Sequence, residues 1–214
     1  MAARGRLITL EGGEGVGKST LAAALVSRLS DRGLKIVRTR EPGGSPGAEA
    51  LRKLILTPPP ELGHWGSLTE ALMFYAARRD HLDKLIRPAL DSGSWVICDR
   101  FSDSTRAYQA AAGGVMRDEI ETLERICVGA NGPDLTLVLD LPLSASRGRM
   151  EARAAKDDAI ESRGADYHER VRQAFLDIAR ANPQRCAVLD ASLAPEVLAD
   201  AAMNIIDQRL GGRP

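Results

Sequence analysis

The feature that most constrains this chain is a glycine-rich segment near its amino terminus. The residues from Gly12 to Ser19 read GGEGVGKS and fit the pattern G-x-x-x-x-G-K-[S/T]. The segment lies between an apolar, strand-like run at Leu7–Leu10 and a helix-like run that begins at Lys18. Glycines let successive backbone N–H groups turn around phosphate oxygens, and the following helix adds the positive end of its dipole. Lys18 can then reach the β- and γ-phosphates, and Ser19 can bind Mg²⁺. The segment therefore predicts a phosphate-binding loop for a nucleoside triphosphate rather than a plain glycine-rich turn.

The rest of the sequence alternates between short apolar runs and longer segments with helical spacing. The predicted strands are Leu7–Leu10, Leu34–Val37, Trp95–Cys98, Leu135–Leu139 and Cys186–Leu189. The predicted helices are Lys18–Asp31, Pro46–Leu56, Ser67–Asp91, Ser102–Ala112, Arg117–Val128, Pro142–Ala154, Gly164–Ala181 and Pro195–Leu210. This alternation is typical of parallel strands joined by crossover helices. The sequence therefore predicts an α/β protein with the P-loop NTPase fold, in which a five-stranded parallel sheet is flanked by helices.

Length and charge limit the remaining possibilities. With 214 residues, the chain is expected to form one domain over residues 1–214. Its 29 basic and 29 acidic residues cancel, so net charge does not point to nucleic acid or a membrane as a partner. No apolar stretch approaches the roughly 18 residues of a membrane span. Cys98, Cys127 and Cys186 are odd in number and lack C-x-x-C pairing, which favours reduced thiols in a soluble, cytoplasmic protein.

Two further strand ends carry polar residues, and in an open α/β sheet ligands bind at the carboxyl ends of the strands. The segment Thr39–Gly44 reads TREPGG, and its proline and glycines favour a turn that places Arg40 and Glu41 at the sheet edge. Asp99 and Arg100 follow the third predicted strand. Opposite a phosphate-binding loop, this carboxylate can bind Mg²⁺ or its waters, and this guanidinium can bind a phosphate. A plain turn and a structural ion pair are the respective alternatives.

The helix predicted over Ser67–Asp91 carries an aromatic and a cationic side chain on one face. Phe74 and Arg78 are four residues apart, so a base could stack on the first and accept a hydrogen bond from the second. Taken alone, this spacing is also typical of a core aromatic beside a solvated charge. The polar segment Ser104–Gln109 follows Asp99 by about one helical turn and is expected to face the same cleft.

Five motifs, in this order, resemble those of the bacterial thymidylate kinases. They read EGGEGVGKST from Glu11, TREPGG from Thr39, FYAAR from Phe74, DRF from Asp99 and STRAYQ from Ser104. The likeness covers most of residues 6–210 and is densest up to Gln109. It implies a nucleoside monophosphate kinase with a short lid, which uses ATP and Mg²⁺ to phosphorylate dTMP. It also implies dTMP and ATP as partners and a homodimeric assembly.

The resemblance assigns roles to the matching positions. The residues implied to bind ATP are Gly12, Gly13, Glu14, Gly15, Val16, Gly17, Lys18, Ser19 and Thr20. The residues implied to bind the acceptor are Arg40, Glu41, Phe74, Arg78, Arg100, Ser104, Thr105, Tyr108 and Gln109. Within this set Phe74 would stack on thymine, Arg78 would contact its carbonyl, and Arg40 with Arg100 would hold its phosphate. Ser19 and Asp99 would bind the metal, Glu14 would lie near the acceptor's sugar and phosphate, and Lys18, Arg100 and Glu14 would act in catalysis.

A lid is expected near residues 152–163, a charge-dense interruption of the helical pattern. Relatives whose loop lacks an arginine after the glutamate, as here at Gly15, supply a catalytic arginine from the lid. Arg149 and Arg153 are the candidates, being four residues apart on one helical face, and a solvated charged face is the alternative. The chain departs from the family pattern in two places. First, it has DAIE from Asp158, without the usual arginine, so that Arg163 or Arg153 would take the place of that arginine. Second, it has AAAG from Ala110, where a glycine run is common.

Each alternative function of a protein with a phosphate-binding loop would require its own sequence features. A GTPase switch should carry an N-K-x-D motif, which this sequence lacks. A nucleoside kinase would need a carboxylate base for a sugar hydroxyl, a role that Glu41 could play. A kinase for another nucleoside monophosphate is not separable by spacing, because one thymine methyl contributes only about 1–3 kcal/mol. A non-catalytic ATP-binding module would not need the acceptor-side residues.

Overall fold

The computed structural model describes residues 3–151, 159–160 and 162–211, and the backbone but not every side chain of 147–151. A five-stranded parallel sheet, in the order β2-β3-β1-β4-β5, forms its centre. The strands are β1 (Leu7–Glu11), β2 (Ile36–Arg40), β3 (Trp95–Asp99), β4 (Leu135–Asp140) and β5 (Cys186–Asp190). The predicted fold class is therefore confirmed. The carboxyl ends of β1, β2 and β3 lie side by side, so the polar segments that follow them meet at one edge.

Helices cover both faces of this sheet. They are α1 (Lys18–Asp31), α2 (Pro46–Leu56), α3 (Ser67–His81), α4 (Arg87–Asp91), α5 (Ser102–Thr105), α6 (Arg117–Cys127), α7 (Leu143–Glu151), α8 (Ala165–Ala181) and α9 (Pro195–Leu210). A short 3₁₀ turn occupies Pro60–Leu62. Among the described helices, none is both long and apolar enough to cross a bilayer.

Alternate residues of β1 enter two different cores, because side chains of a strand point to opposite faces. Ile8 and Leu10 are fully buried against residues of α1 and α9. Leu7 is buried on the other face against residues of α3 and α4. The strand is thus apolar throughout, as expected for a central parallel strand. This double burial fixes the position of the glycine-rich loop that follows it.

The long helix predicted over Ser67–Asp91 is wrong as a single α-helix. A π-helical turn at Leu82–Ile86 separates α3 from α4. Pro88, near the start of α4, has no N–H to donate to the preceding turn, and its ring crowds the carbonyl four residues earlier. The wider turn accommodates both effects without ending the helix.

The helix predicted over Ser102–Ala112 also changes geometry. Only α5 is α-helical, and Arg106–Ala111 forms a π-helical turn. Three consecutive residues of this turn, Ala107 to Gln109, are buried, which a regular amphipathic helix would not allow.

Two predicted elements differ from the structure only in their bounds. β2 begins at Ile36 and runs to Arg40, because at the sheet edge its alternate positions are solvent-exposed and accept arginine. α7 begins at Leu143, one residue after the predicted start.

Candidate active site

The glycine-rich loop adopts a backbone that its glycines make possible. Gly12 has φ 135°, and a Cβ there would lie 2.4 Å from the carbonyl oxygen of Leu139. Gly17 has φ 98° and directly precedes α1. Both values belong to the left-handed region that favours glycine. The loop can therefore pass close to β4 and turn into the positive end of α1.

Lys18 folds back over this loop. Its Nζ donates hydrogen bonds to the carbonyl oxygens of Gly12 at 3.2 Å and Gly13 at 2.6 Å. Burial, assisted by the nearby charge of Arg100, lowers the pKa of Lys18 to about 8. Glu14 opposes this change. A phosphate group beside the ammonium would raise the pKa again, because an anion stabilises the charged form.

Ser19 and Asp99, the two candidate metal ligands, lie together. The hydroxyl of Ser19 donates to Oδ2 of Asp99 at 2.8 Å. A hydroxyl and a carboxylate fit Mg²⁺, which prefers oxygen ligands and usually takes the rest from water and substrate phosphates. Within the described ranges no cluster of three His, Cys, Asp or Glu residues could hold a metal alone. A magnesium ion here would thus depend on a bound nucleotide for further ligands.

A cleft of about 240 Å³ opens between the loop and the ends of β2 and β3. It brings together most of the predicted site residues. Those lining it are Glu14, Gly15, Gly17, Lys18, Ser19, Arg40, Glu41, Phe74, Arg78, Asp99, Arg100, Ser104, Thr105, Tyr108 and Gln109. Pro42, Arg52, Leu56, Phe101 and Ile160 complete the lining. The arginines outnumber the carboxylates, so the cleft suits a small anionic ligand.

Arg100 has an unusual backbone conformation, and both terminal nitrogens of its side chain are hydrogen-bonded. Its φ of 69° is the only positive value at a non-glycine residue in the described part of the chain. One nitrogen donates to the carbonyl oxygen of Gly12 and to Ser104, and the other donates to Glu14 at 2.5 Å and to Tyr108 at 3.0 Å. Burial works against the charge of Arg100, but the combined effect of Glu14, Tyr108, Asp99 and Glu11 is larger, so the pKa of Arg100 is raised. Such strain is typical of positions where function fixes the geometry.

Glu14 stands at the centre of this cluster. Burial would raise the pKa of its carboxyl, but Arg100 and then Lys18 lower it below the ordinary value. The Tyr108 hydroxyl donates a further hydrogen bond to it at 3.0 Å. The alternative of a structural ion pair between Asp99 and Arg100 is not seen among the described contacts, and Arg100 pairs with Glu14 instead.

Glu11, at the end of β1, holds the turn that carries Arg100. Its carboxyl is fully buried and accepts hydrogen bonds from the backbone N–H of Phe101 at 2.8 Å and of Ser104 at 3.2 Å. It also accepts one from the Ser104 hydroxyl at 2.6 Å. Burial, with a smaller effect of the charge on Asp103, raises the pKa of Glu11 to about 7.

Arg78 is buried at the far end of the cleft, with 2% of its surface exposed. The alternative of a solvated charge at this position is therefore wrong. Nε donates to Glu41 at 2.7 Å, and Nη2 donates to the Thr105 hydroxyl at 3.1 Å. Nη1 is buried and has no hydrogen-bond partner among the described residues. A buried donor without a partner destabilises the folded protein by about 1–3 kcal/mol. A ligand that supplied an acceptor to this nitrogen would remove that cost.

Glu41 is occupied on both oxygens. One accepts from Arg78, and the other lies 3.1 Å from Nδ1 of His81. The residue is buried, at 6% exposure. A carboxylate held in this way positions Arg78 and is poorly placed to accept a proton from a sugar hydroxyl.

Phe74, half-buried, faces the same cleft one helical turn before Arg78. Arg40 lies at the open side, where Glu49 accepts hydrogen bonds from it at 3.1 and 3.2 Å. The ring of Phe74 forms an apolar wall of the cleft, and the guanidinium groups of Arg78 and Arg40 lie at its two ends. This arrangement fits a ligand with a flat base and a phosphate.

Some predicted residues do not line this cleft. Val16 packs into the core, and Thr20 is exposed in the first turn of α1. Arg149 belongs to α7 but its side chain lies outside what the structure describes, and Arg153 lies outside the described residues, as does most of the expected lid. Arg163 forms an ion pair with Glu70.

Two residues at the site escaped the sequence-based prediction. Glu11 is the first letter of the glycine-rich motif, but its role becomes visible only when the turn at Arg100 folds onto β1. Glu70 is buried and hydrogen-bonds to Gln109. Its position four residues before Phe74, on the same face of α3, was a signal available in the sequence.

Comparison with known proteins places this geometry in a family. A family model described as thymidylate kinase matches residues 10–202. The chain is 47% identical over 208 residues to the thymidylate kinase of Caulobacter vibrioides, covering 97% of this chain and 99% of the relative. It is 45% identical over 209 residues to that of Bradyrhizobium sp. (strain ORS 278), with 97% and 92% coverage. A crystal structure of thymidylate kinase from Ehrlichia chaffeensis superposes with a TM-score of 0.75 at 32% identity, covering 95% of this chain and 99% of that one.

Proposed function

The chain belongs to the thymidylate kinase family and transfers a phosphoryl group from ATP to dTMP, and we propose the following roles for its residues in this reaction. The observation that carries the assignment of the acceptor site is the unpaired Nη1 of Arg78. Thymine offers a carbonyl oxygen next to an N–H group. The carbonyl would accept from Arg78 while the ring stacks on Phe74.

Gln109 supplies the complementary group. Its Nε2 donates to Glu70, and no described residue donates to its Oε1. Since Gln109 also lines the cleft, this oxygen is assigned to the N–H of thymine. A buried donor and an acceptor assigned to the cleft then read two neighbouring atoms of the base. Cytosine presents the opposite pattern, an amino group next to an unprotonated nitrogen.

The chemistry needs alignment rather than a general base. The nucleophile is a phosphate oxygen of dTMP, which is already ionised at neutral pH. Arg100 and Arg40 would hold this phosphate beside the loop, and Lys18 would neutralise charge on the transferring group. Ser19 and Asp99 would hold Mg²⁺, which when bound offsets the charge of the ATP phosphates. Glu14 fixes Arg100 in the orientation that the acceptor phosphate requires.

The nucleoside kinase alternative loses its candidate base. Both oxygens of Glu41 are engaged by Arg78 and His81, and the residue is buried. A sugar hydroxyl would have to displace one of these contacts. We assign Glu41 to the support of Arg78.

Apolar side chains on the surfaces of α3 and α6 support a homodimeric assembly. α3 and α6 are joined by the hydrogen bond from the Tyr75 hydroxyl to Glu124, and each region exposes large apolar side chains, among them Leu72 at 50% and Ile126 at 65%. We propose that these surfaces meet in a homodimer.

The three cysteines are free, which accords with a cytoplasmic protein. Residues 1–214 are proposed to form a single domain.

A coupled assay of ADP release tests the function. Purified protein is supplied with ATP and Mg²⁺, and dTMP, dUMP, dCMP, dGMP, AMP and thymidine are compared as acceptors. We expect a strong preference for dTMP over dCMP, dGMP and AMP. Turnover with thymidine alone would instead identify a nucleoside kinase, and lack of turnover with every acceptor would contradict the proposal.

A further inference from the structure

Glu70 lies on α3, buried at 3% exposure, one helical turn before Phe74. Each of its oxygens has one assigned partner. Oε2 accepts from Nε2 of Gln109 at 3.0 Å, and Oε1 accepts from Nη2 of Arg163. A carboxylate with a fixed partner on each oxygen cannot rotate freely, so its geometry is imposed on Gln109.

The contact decides which way the amide of Gln109 faces. A carboxylate only accepts hydrogen bonds, so the group that turns towards Glu70 must be the NH₂ of Gln109. The carbonyl oxygen Oε1 is then the group left for the cleft. The contact with Glu70 is the only hydrogen bond of the Gln109 side chain among the described residues, so without Glu70 no described partner would set which end of the amide faces the cleft.

A closed chain of hydrogen bonds supports this orientation. Arg163 donates to the Tyr167 hydroxyl at 2.6 Å, and Tyr167 donates to the backbone carbonyl of Tyr108 at 2.8 Å. Tyr108 directly precedes Gln109, so the chain returns to the residue next to its starting point. Both residues lie in the π-helical turn that lines the cleft. The network therefore fixes the backbone and the side chain of this turn together.

We propose that Glu70 is a specificity-determining positioning residue, which holds the carbonyl oxygen of Gln109 towards the acceptor base and so favours bases with an N–H beside a carbonyl. This inference rests on the proposed function of the cleft. Arg78 selects the carbonyl, and Glu70 acts through Gln109 to select the neighbouring N–H. A flipped amide would present NH₂ to the N–H of thymine and would instead suit the unprotonated ring nitrogen of cytosine.

The test is the ratio of kcat/KM for dTMP to kcat/KM for dCMP in Glu70→Gln. A glutamine can accept or donate, so it no longer dictates the orientation of Gln109. We expect the ratio to fall at least about tenfold, through a higher KM for dTMP, because a buried polar group facing the wrong partner is costly. The KM for ATP should stay unchanged. An unchanged ratio would overturn the inference.

Two controls separate positioning from general stabilisation. Glu124→Gln removes another carboxylate that ties α3 to a neighbouring helix, and it should leave the ratio unchanged even if melting temperature falls. In a Gln109→Leu background, Glu70→Gln should have no further effect on the ratio if Glu70 acts through Gln109. A persistent effect there would also overturn the inference.

Folding and function can be told apart from these outcomes. Each variant is assayed at a temperature at which circular dichroism shows it folded. If Glu70→Gln does not fold, Glu70→Asp applies the same test, because the shorter carboxylate withdraws from Gln109. Absence of dTMP turnover in the unaltered protein would overturn the proposed function together with the inference, whereas an unchanged ratio overturns the inference alone.

Discussion

We propose that single residues in the cleft either contact a ligand or hold a ligand-binding side chain in place. Arg78 and Arg100 are assigned to the ligand-binding residues, and each donates to a carboxylate, Glu41 or Glu14. Buried arginines need such partners, since an unpaired buried charge is very costly. Nη1 of Arg78 is left without a partner among the described residues, whereas both terminal nitrogens of Arg100 donate to protein groups. Substitutions at the two kinds of residue should therefore have different kinetic signatures.

Replacement of Phe74 by alanine tests the stacking role. The KM for dTMP should rise about 5- to 150-fold, because stacking of a base on an aromatic ring contributes about 1–3 kcal/mol. The KM for ATP should change little, since Phe74 is assigned to the acceptor base. Val197→Ala, at an exposed position on α9 that does not line the cleft, serves as the control. Equal effects of Phe74→Ala on both KM values would reassign the ring to core packing.

Glu11 leads to a prediction about pH. Its pKa is raised from 4.5 to about 7 in the folded protein, chiefly by burial. A carboxyl with a raised pKa binds its proton more tightly in the folded state. Its contribution to stability is therefore fully present below pH 4.5 and is lost as the pH rises through about 7.

The variant Glu11→Gln removes this titration while keeping an acceptor for the N–H of Phe101. The free energy of unfolding of the variant, relative to the unaltered protein, should rise by on the order of 2 kcal/mol between about pH 5 and about pH 8. Urea denaturation at both pH values measures it. A difference that does not change with pH would show that Glu11 does not titrate in this range.

At the scale of whole elements, short polar connections hold the site in place. Asp103 of α5 is buried, and its two oxygens accept from Arg185, just before β5, at 2.6 and 2.9 Å. This pair joins the turn after β3 to the other edge of the sheet. It fixes α5 and, with it, the residues that follow Arg100.

Asp103→Asn should lower the free energy of unfolding by about 2 kcal/mol, because Arg185 keeps its charge and loses its counter-charge in a largely buried place. Chemical denaturation gives the value. Asp177→Asn, which breaks an exposed pair with Arg180, should cost less than about 0.5 kcal/mol. If both variants lost the same small amount, the connection would not stabilise α5.

The sequence predicted the elements better than their irregularities. β1, β3 and β4 were recognisable as continuous apolar runs because both of their faces are buried. The π-helical turns at Leu82–Ile86 and Arg106–Ala111 were not, because one extra residue in a turn leaves no clear mark in a 3.6-residue pattern.

For the site, local motifs predicted which residues gather in the cleft but not how they pair. The sequence placed Arg100 and Ser104 near each other because they are separated by about one helical turn. Pairs such as Arg100 with Glu14 or Gln109 with Glu70 join residues far apart in the chain. Such contacts depend on strand order and on the turns between elements, which single-sequence patterns do not specify.

At the scale of the whole molecule, the proposed dimer can be tested by its apolar surface. The double variant Leu72→Glu with Ile126→Glu should be monomeric, because two buried charges per subunit would oppose association. Light scattering coupled to gel filtration measures the mass. Val188→Glu with Val197→Glu changes two equally exposed apolar positions on β5 and α9 and should leave the dimer intact. A monomeric parent protein, or a dimer that survives the first variant, would contradict the proposed interface.

A crystal structure of the protein with dTMP bound would test the acceptor site most directly. We expect the thymine carbonyl to accept a hydrogen bond from Nη1 of Arg78, the ring to stack on Phe74 and its N–H to face Oε1 of Gln109. The phosphate should lie between Arg100 and Arg40, beside the glycine-rich loop. A base bound elsewhere, or a phosphate at the Arg78 end of the cleft, would contradict the assignment of the acceptor site.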